Sequence, residues 1–107
     1  MGYGFIGRHR KNEETIFYTS CMYQYQQIFK ECFGKEITEF SGRVTKQKIS
    51  DFENGLENLK KNPKGQELDG CQMIGYVDNI SFDKLIYDLY ELLDLMKNKK
   101  VGYLSID

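Results

Sequence analysis

Apolar side chains recur every third or fourth position from 82 to 96. Phe82, Leu85, Ile86, Leu89, Leu92, Leu93 and Met96 fall on one stripe of a helix. Ser81 is placed to cap its start, and Ile80 to staple against Leu85. Asn98-Lys99-Lys100 closes it with cations at the negative end of the helix dipole. A second stripe, Ile49, Phe52, Leu56 and Leu59, predicts a helix over 46–61. Ser50 to Glu53 fits a capping box, which would delay the regular part to that point. Asn62-Pro63 ends the helix, because the residue before proline avoids helical angles.

The N-terminal third has two readings. Phe17, Cys21, Tyr25, Ile28, Phe29 and Cys32 recur at helical spacing, predicting a helix over 13–33 with Asn12 as N-cap and Gly34 as stop. The rival takes the β-branched and aromatic run Thr15 to Thr19 as the return arm of a hairpin, the helix starting after Ser20. Extended runs at 2–7, 71–77 and 101–106 predict strands, with a charged turn at 8–12 and irregular chain over 36–44. The expected fold is α+β: three helices packed on a small sheet containing the N- and C-terminal strands. Strand, helix and strand over 71–106 would form a right-handed crossover if both strands lie in one sheet.

The 107 residues suit one domain over 1–107. Apolar residues at 40% and aromatics at 14% argue against disorder. No apolar run reaches the ~18 residues of a membrane span, and Met1 to Arg10 lacks the pattern of a secretory signal. A cytoplasmic setting is therefore expected. Three cysteines are an odd number, and Cys21 and Cys32 on one helix would stand about 16 Å apart. Free thiols acting as small apolar groups are the expectation for Cys21, Cys32 and Cys71. Without a C-x-x-C or a Cys/His pair there is no support for zinc, and no cofactor is implied.

Net charge is −1, which argues against a dedicated nucleic-acid binder. The charge is unevenly spread, however. Residues 1–50 carry eight bases and five acids; residues 51–107 carry seven bases and eleven acids. Between Gly65 and Met96 seven acids face Lys84 alone. Such a segment steers basic partners toward itself.

Gly2-x-Gly4-x-x-Gly7 spells the dinucleotide fingerprint but lacks a strand before it and a helix after it. Ile6 stands where a myristoylation signal wants Ser or Thr. The dense basic run Arg8, His9, Arg10 and Lys11 is a candidate phosphate or nucleic-acid contact, and His9 a candidate general base, although no partner for it follows from spacing. On the first helix Tyr25 would face the apolar stripe, with Ile16, Tyr23 and Gln27 on the far side.

The outer face of the last helix is more informative. At ~100° per residue, Asp83, Tyr87, Asp88, Glu91 and Asp94 all lie away from the apolar stripe. A tyrosine is thereby set among carboxylates, and tyrosine is a frequent hot spot. The expected function is a non-enzymatic protein-binding inhibitor of the immunity or antitoxin type, neutralising a basic, nuclease-like toxin through this face. The alternatives are a phosphate- or nucleic-acid-binding protein using Arg8 to Lys11, and a small enzyme using His9.

Overall fold

β1 (Phe5–His9) runs between two antiparallel neighbours, β2 (Thr15–Tyr18) on one side and β4 (Val101–Ile106) on the other. A two-residue strand, β3 (Gly42–Arg43), adds to the far side of β4, so the order is β2-β1-β4-β3. The computed structural model describes residues 3–19, 22–69 and 80–107. Four helices are described: α1 (Gln26–Phe33), α2 (Lys46–Lys61), α3 (Lys64–Asp69) and α4 (Phe82–Lys97). The fold is α+β, with the N- and C-terminal strands paired in mid-sheet. The strand expected over 71–77, and the crossover built on it, lie outside the described residues, as do Cys21 and Cys71.

The inner face of the sheet follows the period of two. Phe5, Gly7, Phe17 and Leu104 are buried, Gly7 standing opposite both Phe17 and Leu104. Gly7 has no side chain because three neighbours fill its space: a Cβ there would meet Val101, Phe17 and Leu92 at 3.0–3.3 Å. Beyond Phe5 lies a cluster of rings. Phe29 stacks on Phe33 at 4.1 Å, and Phe40 and Phe52 meet them edge-on. Such ring pairs add about 0.5–1.5 kcal/mol each beyond area burial. Leu85, Leu89, Leu92, Leu93 and Met96 of α4 complete the core, as their spacing predicts.

The 13–33 helix is not formed; the hairpin reading holds. Glu13 takes a left-handed φ of 57°, and Asn12, expected as the N-cap, accepts the Glu14 N–H in the turn. Antiparallel pairing buries Phe17 against β1, a gain that local helical spacing cannot show. A 3-10 turn at Tyr23–Tyr25 then leads into α1, which ends at Gly34 with φ 71°. Tyr25 is buried and donates its hydroxyl to the Ile80 carbonyl at 3.0 Å.

The charged turn also starts later than expected. Arg8 and His9 belong to β1, and the turn begins at Arg10. α2 keeps the expected limits, but Thr45 caps it by accepting the Lys48 N–H at 3.2 Å; Ser50 lies inside the helix. Residues 36–44 hold a 3-10 turn at Ile37–Phe40, then β3. α3 is an element that no sequence signal announced. α4 starts at Ser81, whose hydroxyl accepts the Lys84 N–H, and ends as expected before Asn98. Cys32 is buried and free.

Candidate protein-binding face

α4 is held on its inner side by the core and tied laterally to α2. Tyr90 donates its hydroxyl to Glu57, and Lys97 pairs with Glu53. These exposed contacts orient more than they stabilise. The outer side carries Asp83, Tyr87, Glu91 and Asp94, all exposed and spaced by four, four and three residues. Among the described residues Tyr87, at 69%, is the most exposed of the large apolar side chains at the surface, ahead of Ile16 and Tyr18.

Asp88 corrects the expected set. Its residue surface is only 6% exposed, and Lys84 one turn earlier reaches its carboxylate at 2.5 Å. The Asp88 hydrogen bond raises the Lys84 pKa above its ordinary 10.5. Asp88 sits at the edge between the apolar stripe and the solvent face, where burial requires a paired charge. It is not open to a partner. Lys84 also places its Nζ 5.8 Å over the Tyr87 ring, a cation–π contact. Lys84 and Asp88 cancel each other, which leaves Asp83, Glu91 and Asp94 as the uncompensated charges around the ring. Asp83 has one further contact, from Gln66 Nε2 of α3 at 3.4 Å.

The basic run does not act as a unit. The Arg8 guanidinium is spent on the fold: Nε donates to Ser105 Oγ at 2.9 Å and Nη1 to Thr15 Oγ1 at 3.2 Å. His9 Nδ1 accepts the Lys11 backbone N–H at 3.1 Å. Lys11 is exposed on the turn. Arg10 alone of the four lines a cleft, together with residues from two other segments, 43–49 and 96–103. Arg43, Lys46 and Lys99 of that cleft were not site candidates from sequence; Lys99 was read only as a helix-closing cation. No local spacing links Arg10, the 43–46 junction and Lys99, and only the fold collects them.

Among the described residues no three His, Cys, Asp or Glu side chains gather in a way that could hold a metal. Among them, too, no helix is long and apolar enough to cross a membrane. Comparison with known proteins finds no matching family model, no matching curated protein and no matching solved structure.

Proposed function

We propose that this protein is a non-enzymatic protein-binding module, a cytoplasmic inhibitor of the immunity or antitoxin type that holds a basic, nuclease-like toxin on the outer face of α4. The observation that carries this reading is Tyr87, 69% exposed, with Asp83, Glu91 and Asp94 around it on a helix anchored by its opposite side. A ring held on a rigid element can bury large area with little loss of side-chain freedom, and desolvated aromatics of this kind dominate interface energetics. The three carboxylates supply steering: they speed encounter with a cationic surface and resemble the phosphates that a nuclease surface receives. Inhibition of this sort needs complementarity and no chemistry.

The test is a pull-down with the full chain for a stoichiometric basic partner, followed by calorimetric titration of that partner at low and high salt. Tyr87→Ala is expected to weaken binding by about 2 kcal/mol, roughly 30-fold. Glu91→Lys should slow association, most at low salt. Both variants should melt like the parent, since both positions point away from the core. Parent-like binding by both variants would end this reading.

A further inference from the structure

At the end of the molecule farthest along α4 from Tyr87, three connections converge. They are the β1–β2 turn at Arg10, the β3–α2 junction at 43–46 and the α4–β4 turn at Lys99. Between them lies a cleft of about 290 Å³. Among the described residues its charged lining is basic throughout: Arg10, Arg43, Lys46 and Lys99, with no carboxylate. None of these four side chains has a hydrogen bond or ion pair among the described residues. Its apolar lining comes from Ile49, Met96 and Val101, and Tyr103 also lines it.

We infer that this cleft binds a small polyanion with a flat apolar part, the chemistry of a nucleoside polyphosphate. Four cations facing one concave space repel each other, and an ordinary solvated surface would intersperse acids among them. In a chain of net charge −1 their convergence calls for a counter-charge of similar size. A nucleoside di- or triphosphate carries about that charge near neutral pH. The apolar residues Ile49, Met96 and Val101, with Tyr103 beside them, offer a place for a base, which lone phosphate would leave empty. The volume, about 290 Å³, falls just short of the ~300–1,000 Å³ of small-molecule sites. Four cations are fewer than a nucleic-acid tract usually engages, and the site is a recess where a strand would need a groove.

The backbone serves the same end at two points. Lys99 occupies the left-handed position that follows the α4 C-cap, with φ 66°. Its N–H bonds to the Met96 carbonyl and that of Lys100 to the Leu95 carbonyl, the arrangement in which glycine is usual. A lysine there accepts a strained backbone and puts a cation at the cleft. Lys48 is a positioning residue: its Nζ donates to the carbonyls of Ser41 and Arg43 at 2.7 and 2.8 Å, holding the chain that carries Arg43.

This inference does not depend on the α4 outer face, whose variants leave the cleft untouched. The test is binding of ATP, inorganic tripolyphosphate and a single-stranded RNA oligomer to the full chain, followed by nuclear magnetic resonance shifts and calorimetry. ATP is expected to bind more tightly than tripolyphosphate, with shifts at Arg43, Lys46 and Tyr103. Arg43→Ala and Lys46→Ala should each weaken it about tenfold, and Tyr87→Ala should not. Lys99→Gly is the decisive variant: it should weaken ATP binding while raising the melting temperature, a pairing that a merely structural lysine cannot produce. No ATP binding at millimolar concentration, binding unchanged in these variants, tripolyphosphate binding as tightly as ATP, or RNA displacing ATP from the cleft would each overturn the assignment.

Discussion

Gly102 lies against the backbone of Arg10. A Cβ on Gly102 would stand 2.8 Å from the Arg10 Cα and 2.8 Å from its Cβ, closer than real side chains approach. The hairpin turn can therefore rest on β4 only because position 102 has no side chain. Gly102→Ala is expected to cost roughly 1–3 kcal/mol through overpacking and to displace Arg10 from the cleft. Thermal melting reads the first effect. A variant as stable as the parent would show that the turn does not pack as described.

Thr45 and Ser50 compete in sequence for the start of α2, and the structure gives the cap to Thr45. Thr45→Ala should cost about 1 kcal/mol, since the Lys48 N–H loses its acceptor. Ser50→Ala should stay within about 0.5 kcal/mol, as exposed helix-interior changes do. Chemical denaturation of the two variants side by side checks the pair.

Leu89 is fully buried at the centre of the α4 stripe, and Glu91 two positions on is exposed. Leu89→Ala should cost roughly 2–5 kcal/mol, the lost burial plus the cavity left behind. Glu91→Ala should change stability by no more than about 0.5 kcal/mol. Equal melting temperatures for the two would reverse the assignment of the helix faces.

Two tyrosines make the fold sensitive to alkali. Burial, with the charge of Glu36 nearby, pushes the Tyr3 hydroxyl up to about 12. Burial and the hydrogen bond to Glu57 do the same for Tyr90. The unfolded chain releases these protons near 10, so the stability linked to them is complete below about pH 10 and is lost as pH rises toward 12. Denaturant melts across that window should show a fall that is smaller in a Tyr3→Phe, Tyr90→Phe double variant. At the acid end the sign is opposite in direction. Hydrogen bonds from Lys35, then Gln47, hold the Asp51 carboxyl below its ordinary 3.8, so its contribution is present above that value and fades as pH falls below it.

α4 and β4 were legible in sequence because local signals agree there: one apolar stripe, a serine at the cap, cations at the close, then an extended run. Residues 13–33 were not, because Phe17 and Tyr25 at helical spacing serve equally well as an inward strand residue and a buried ring in a 3-10 turn. What decides between them is pairing with β1, which no local window contains. α3 escaped because six residues hold no periodicity; it is fixed from outside, as by the bond from Gln24 to the Leu68 carbonyl. On the candidate face the helical angle placed Tyr87 in solvent, as found, but could not tell that Asp88 would be buried and paired with Lys84. The cleft was invisible for a different reason. Arg10, the pair Arg43 and Lys46, and Lys99 come from three separate connections, and sequence distance carries no trace of their meeting.

The pairing of β1 with β4 also sets an order of events in time. Arg8 reaches Ser105 across 97 positions, and β1 has one neighbour, β2, until β4 exists. During synthesis the nascent chain can close its first hairpin early but must wait for residues 101–106 before that hairpin gains its second partner. Until then an unpaired edge and the apolar side of the sheet stay open to other chains. Assembly should thus be late and sudden, and a ribosome stalled before Val101 should display a protease-sensitive chain, whatever helices have already formed.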